Sequence, residues 1–272
     1  MPPGSPTHGG RPPASLAWRV DSDSLTGTRF TTVRIHEELP STNTALVEEA
    51  RAGAPEGLVL VADHQTAGRG RLGRTWSAEP GTALLVSVLL RPPLPVDELP
   101  LVLMAAGLAA CDGVASAAGF RPRLKWPNDL VVDDRKLAGL LSEAAGAGGP
   151  AVILGLGINV SAGAYPKELS GEAVSCEEVA SRPVDRSELL VAFLTGLEAR
   201  YSAVLGGKRG ETLSAYRADS ATLGRRVRVQ LTGGDALEGQ AGGLANDGRL
   251  VVIDDAGTEH LVHVGDVKHL RT

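Results

Sequence analysis

Cysteine is scarce: the 272-residue chain has only Cys111 and Cys176. Two cysteines exclude a disulfide framework, and their spacing offers no metal site, so a reducing cytosol is the default compartment. The histidines supply no metal set either. His260 and His263 are three apart in an expected strand and so point to opposite faces. No Ser-His-Asp or Cys-His arrangement can be assigned from the sequence. No apolar run reaches membrane-spanning length, and the longest, 83-ALLVSVLL-90, is the size of a strand. The opening 1-MPPGSPTHGGRPPAS-15 has no apolar segment, which excludes a secretory signal and reads as a disordered tail. An excess of positive charge is also missing. The net charge of −5 argues against a general nucleic-acid binder.

Against that acidic background stands 68-GRGRLGR-74, with Arg69, Arg71 and Arg74 crowded into one loop. Like charges repel, so an anion that visits the loop explains it better than chance, although a solvated arginine loop is the plain alternative. Gly68, Gly70 and Gly73 fit G-x-G-x-x-G, the phosphate turn of dinucleotide-binding folds. That turn needs a strand before it and a helix opening at its third glycine. The strand is there, but 74-RTWSAEPG-81 leads into a turn, and no acid follows at the distance a ribose requires. No G-x-x-x-x-G-K-[ST] occurs either. What remains is a flexible glycine loop that delivers guanidinium groups, which bind phosphate or carboxylate bidentately and stay charged.

Pattern and punctuation divide the chain into a disordered tail (1–28), a larger domain of mixed strands and helices (29–220) and a small β-barrel (221–272). Strands are expected at 29–36, 57–63, 82–90, 122–127 and 151–160, with a hairpin of 129–133 and 136–145 about a turn at 133-DDR-135. Helices are expected after a cap at Ser41, Thr42 or Asn43, from Val96 to Gly119, from Asp185 or Ser187 to Tyr201, and at 211–220. Beyond Ala221 come short strands at 226–230, 249–254 and 260–265, with turn signals at Asn246-Asp247-Gly248 and Asp255-Ala256-Gly257.

Three further stretches carry chemistry. In 125-KWPNDL-130 a lysine, an amide and a carboxylate surround a proline; a turn with a Lys125–Asp129 salt bridge would explain it equally well. Lys136 opens an apolar strand, either as a snorkelling residue or as an ammonium beside a ligand anion. Gly139 lies in that strand, where glycine often marks a close approach. In 155-GLGIN-159, Gly155 and Gly157 share one face and leave a strip on which a flat ligand could lie; Asn159 follows on that face, and a bulge or tight packing is the alternative.

Taken together, 41-STN-43, 65-QTAGRGRLGR-74, Trp76, 125-KWPND-129, 136-KLAG-139 and 155-GLGIN-159 resemble the biotin protein ligases. The resemblance spans residues 41–159, and the segment from about 222 resembles the family's SH3-like domain. It implies an α+β fold: a mixed-sheet catalytic domain of the biotin/lipoate ligase type with helices on the sheet, then the SH3-like barrel. It implies adenylation of biotin by MgATP, then transfer of biotin to a lysine of a biotin carboxyl carrier domain of an acyl-CoA carboxylase. Biotin, ATP and Mg²⁺ enter as substrates, with no tightly bound metal, in a cytoplasmic monomer or weak homodimer.

By matched position, Ser41, Thr42, Asn43 and Gln65 would contact the biotin ureido group and its surroundings. Gly68, Arg69, Gly70 and Arg71 would close over biotin and phosphate. Lys136 would be the catalytic cation, with Arg69 as the loop arginine that matters most. Gly139, Gly155 and Gly157 would let the ligand approach the sheet. Trp76 would pack on adenine, Arg71, Arg74, Lys125, Asn128, Lys136 and Asn159 would serve the nucleotide, and Asp129 would serve both nucleotide and Mg²⁺. About thirty residues precede the first core strand, too few for the winged helix-turn-helix of the family's repressors, so no operator binding is expected. A lipoate–protein ligase is the nearest rival. A non-enzymatic anion- or RNA-binding module is the rival of another class.

Overall fold

The computed structural model describes residues 18–20, 22–145, 151–231, 235–263 and 265–270. Along the chain come β1 (Thr32–Leu39), α1 (Thr42–Arg51), β2 (Leu58–Gln65), β3 (Ala83–Leu90) and α2 (Leu99–Ala118). There follow β4 (Arg123–Lys125), β5 (Asp129–Val132), β6 (Arg135–Ala145), β7 (Ala151–Asn159), α3 (Cys176–Ala180), α4 (Arg186–Leu205) and α5 (Arg209–Asp219). The last five strands are β8 (Arg226–Leu231), β9 (Ala236–Leu244), β10 (Leu250–Ile253), β11 (Glu259–Val262) and β12 (Gly265–His269).

The first seven strands form one mixed sheet in the order β1-β2-β3-β7-β6-β5-β4, in which β1 and β2 run parallel and the other neighbours antiparallel. Alternation sorts the side chains of β3 and β7 onto two faces. Leu84, Val86, Val88 and Leu90, with Leu154, Leu156 and Ile158, join α2 and α4 in the main core. On the opposite face, Leu89 and Ile153 pack against Leu46 and Ala50 of α1. The α2–α4 crossing is close because Gly113 has no side chain: a Cβ there would lie 3.1 Å from the backbone nitrogen of Phe193. The turn joining β5 to β6 places Asp133 and Asp134 at positive φ, as a two-residue hairpin turn demands.

Three expectations need correction. Residues 18–20 and 22–28, assigned to the tail, pack onto the core. Leu25 is 1% exposed, the Trp18 ring lies 4.7 Å from the Arg186 guanidinium, and the Arg19 N–H donates to Ser187 Oγ at 2.9 Å. Residues 1–17, the rest of that tail, lie outside the described residues. Among the described residues, Val96–Ala118 is long and apolar enough to cross a membrane by length and composition. Most of it is buried inside the fold, where α2 serves as a core helix. The third correction is β9, a strand not anticipated. Its sequence ALEGQAGGL is rich in glycine and poor in β-formers, yet it pairs with both β8 and β10.

β8 to β12 form an antiparallel sheet in the order β11-β10-β9-β8-β12. It is stitched to the first sheet by Trp126, which is buried and donates its indole N–H to the Gly248 carbonyl at 3.1 Å. The Trp126 backbone N–H donates to Thr222 Oγ1 at 3.0 Å.

Candidate active site

The site rests on a glycine floor. In register across the sheet, Gly157 pairs with Gly139 and Leu85, and Gly139 with Asp129. One row along, Gly155 pairs with Leu141 and Ser87. Side chains of this protein already lie on the floor. A Cβ on Gly155 would come within 2.2 Å of Asn43 Oδ1, and one on Gly157 within 2.7 Å of the Trp76 ring. A Cβ on Gly139 would meet both Lys136 and Trp76 at 3.1–3.2 Å. The space left, lined by Ser41, Gln65, Arg69, Leu141 and these residues, is about 30 Å³. That holds roughly two water molecules, so a larger occupant must move some of these side chains.

The N-terminus of α1 forms one wall. Ser41 caps the helix, its side chain accepting from the Thr44 N–H, so the next two side chains point into the sheet. Gln65 Oε1 accepts from the Thr42 backbone N–H at 2.8 Å and lies 3.0 Å from Thr42 Oγ1. Ser87 Oγ lies 2.7 Å from Thr42 Oγ1 and 2.6 Å from Asn43 Oδ1. Asn43 Oδ1 can only accept, so the single Ser87 proton goes to it. Asn43 Nδ2 donates to Glu143 Oε2 at 2.8 Å and toward the Leu141 carbonyl at 3.4 Å. Ser87 and Glu143 were missed in the sequence. Their only signal is one polar residue within 83-ALLVSVLL-90 and another within 136-KLAGLLSEAA-145.

The arginine loop closes on itself. The Gly70 N–H donates to the Arg74 carbonyl at 2.8 Å and the Trp76 N–H to the Gly68 carbonyl at 3.0 Å, with a short turn at 71–73 between them. Its three arginines meet different partners. Arg69 forms an ion pair with Glu143 and reaches Thr44 Oγ1 at 3.3 Å. Arg74 forms an ion pair with Asp266 of β12, which raises the arginine pKa and lowers that of the aspartate. Among the described residues, Arg71 has only neutral hydrogen-bond partners: Asn128 Oδ1 at 2.8 Å and the Gly265 carbonyl at 3.4 Å. Burial lowers its pKa, with Asp129 and Asp266 acting against that from further off. A desolvated guanidinium without a contacting carboxylate is the group in this loop best prepared to receive an anion.

Lys136 stands at the far side of Trp76, its ammonium 5.6 Å from the ring centroid. It forms an ion pair with Asp129 at 2.7 Å, a close contact without the alignment of a hydrogen bond. Lys125 faces Asp129 in strand register, yet the ion pair of Asp129 is the one with Lys136. The backbone of Lys136 is fixed: its N–H donates to the Glu172 carbonyl at 2.7 Å, and its carbonyl accepts from Val174 at 3.0 Å. Asn159, expected beside the nucleotide, is buried and spends its amide on the carbonyls of Lys136 and Val174 at 3.2 and 3.1 Å. Asn128 donates to the Leu140 carbonyl while accepting from Arg71. Among the described residues no three His, Cys, Asp or Glu side chains group as a metal cage. Cys111 and Cys176 are buried, and burial pushes both thiols up to about 12, which leaves them as packing residues rather than nucleophiles.

The structure thus brings Ser41, Thr42, Asn43, Gln65, Arg69, Trp76, Gly139, Gly155 and Gly157 around one slot. Arg71, Asn128, Asp129 and Lys136 stand beside it. Arg74 is turned toward β12.

Residues 36–159 match the biotin/lipoate A/B protein ligase family, and residues 222–270 match the biotin protein ligase C-terminal domain. The chain is 38% identical over 267 residues to the biotin–[acetyl-CoA-carboxylase] ligase of Mycobacterium tuberculosis, covering 96% of this chain and 97% of that one. It is 31% identical over 230 residues to the bifunctional ligase/repressor BirA of Bacillus subtilis, covering 83% and 70%. Among solved structures, the biotin protein ligase from Aquifex aeolicus in complex with biotin and ATP superposes with a TM-score of 0.76 at 28% identity, covering 89% of this chain and all of that one. The chain belongs to the biotin protein ligase family and is an enzyme of the ligase class.

Proposed function

We propose that the protein activates biotin with ATP and passes it to a lysine of a biotin carboxyl carrier domain. One observation carries the reading: the glycine-floored slot lies beside Lys136 and beside Arg71, the one loop arginine without a contacting carboxylate among the described residues. In the first step a biotin carboxylate oxygen attacks the α-phosphorus of ATP. The P–O bond to pyrophosphate breaks, giving biotinyl-5′-AMP. In the second, the deprotonated acceptor amine attacks the acyl carbon, an amide forms, and AMP leaves. Two anions must meet in the first step, so fixed cations offset their repulsion and stabilise charge growing at phosphorus. Arg71 and Lys136 fill that role. Asp129 holds the ammonium in place until phosphate takes over as its partner.

Trp76 leaves the floor when the ligand enters, and its buried indole N–H, without a partner, loses nothing by moving. Ser41, Thr42, Asn43 and Gln65 then face the ureido end. Magnesium would enter with ATP, and Asp129, now paired with Lys136, would be the carboxylate to face it. The ATP-dependent chemistry and the two buried, unpaired thiols favour the cytosol.

The test is biotin-dependent exchange of labelled pyrophosphate into ATP, comparing wild type with Lys136→Ala. Exchange that requires biotin, and falls by at least about 100-fold in the folded variant, supports the reading. Exchange driven by lipoate instead moves the protein to the lipoate ligases. No exchange with either acid removes the adenylation step.

A further inference from the structure

We infer that Glu143 is a positioning residue for this reaction, the fixed carboxylate on which the arginine loop closes. Glu143 projects from β6 on the same face as Gly139 and Leu141, two residues beyond the glycine floor. Each of its oxygens has a separate task. Oε1 forms the ion pair with Arg69 of the loop, and Oε2 accepts from Asn43 Nδ2 of α1 at 2.8 Å. Arg69 also reaches Thr44 of α1 at 3.3 Å. One carboxylate therefore ties together the loop, the helix and the sheet that form the three walls of the slot.

A carboxylate is an unexpected group at the mouth of a site that takes two anions. It is tolerable only while a cation covers it. Closure of the loop brings Arg69 to Glu143 and removes that charge from the slot. Arg69 thus has a geometric task, to hold the loop shut, while Arg71 keeps its charge for the substrates. Glu143 also orients Asn43: with Nδ2 engaged by the carboxylate, Oδ1 is turned to Ser87.

The inference rests on the proposed ligase reading. The experiment preforms biotinyl-adenylate on the enzyme, removes free ligand, and follows release of the intermediate. It uses wild type, Glu143→Gln, Arg69→Gln and the double variant, with thermal unfolding recorded for each. Glu143→Gln and Arg69→Gln should each release the intermediate about tenfold faster, the loss of one charge-assisted bond. The double variant should be no faster than either single one, because both remove the same contact. Unfolding temperatures should stay close to wild type, as a purely structural role would not allow. Wild-type release by Glu143→Gln, or multiplying effects in the double variant, overturns the inference. Arg69 is exposed enough for its variant to fold, so unchanged release by Arg69→Gln overturns it even if Glu143→Gln is unstable. A wild type that forms no adenylate overturns the ligase reading instead.

Discussion

The two faces of the seven-stranded sheet are made by the same strands, one residue out of step. On one face β3 and β7 present Leu84, Val86, Val88, Leu154, Leu156 and Ile158 to α2 and α4. On the other they present Leu85, Ser87, Gly155, Gly157 and Asn159. The first face is apolar and filled, and it supplies stability. The second has lost side chains where the first has gained them. It gives up packing area for a slot in which polar groups are fixed by one another. A protein keeps such a face open only if the opposite face holds the sheet flat and rigid beneath it.

Single substitutions can break this comparison. Leu84→Ala on the filled face should cost about 2–5 kcal/mol of unfolding free energy, read by urea denaturation, while the folded fraction keeps its biotin affinity. Gly155→Ala on the open face should act mainly on activity. Its methyl group collides with Asn43, which is locked by Ser87 and Glu143, so kcat/KM for biotin should fall by about 100-fold, while the repacking costs about 1–3 kcal/mol of unfolding free energy, less than Leu84→Ala. If both variants lose stability alike, the division of labour between the faces is wrong.

The second sheet offers a milder test. His269 of β12 is nearly covered and lies between Thr222 and Asp134. Burial pushes its pKa below the ordinary value, helped by Arg225 and Lys125, and the opposing pull of Asp134 does not win. The neutral ring is therefore the folded form. Its stabilising contribution is complete above the unfolded value of about 6.5 and is lost as pH falls through the lower folded value. Wild type should lose stability as pH falls below about 6.5, and His269→Gln should flatten that part of the profile. A parallel loss in both proteins would place the titration elsewhere. Smallest of all, Asp266→Asn should cost under about 1 kcal/mol, because Arg74 is largely exposed. Its sign should show instead as a raised KM for ATP, with the KM for biotin unchanged.

Much of this was legible in the chain. The helix cap at Ser41, the hairpin about Asp133-Asp134 and the paired glycines at 155 and 157 all follow from local rules of capping, turn chemistry and alternation. The arginine loop stood out because three arginines in an acidic protein need a reason. What was hidden depends on neighbours far along the chain. Glu143 is 74 residues from Arg69, so a lone glutamate in a strand gives no hint of its partner. Nothing in KWPND shows that Trp126 joins the two sheets, or that Asp129 pairs with Lys136 rather than Lys125. Asn159 lies on the predicted face, yet its amide goes to backbone carbonyls, a demand visible only once β7 has neighbours.

The attachment of the loop to β12 has a consequence for how the molecule is made. Arg71 and Arg74 find Gly265 and Asp266 across sequence separations of 194 and 192 residues. At ordinary synthesis rates those partners emerge roughly 10–40 s after the loop itself. A nascent chain can therefore assemble the glycine floor and α1 well before the arginines have their moorings. The site becomes complete only when the final strand has left the ribosome, so an unfinished chain has the slot without its tethered loop.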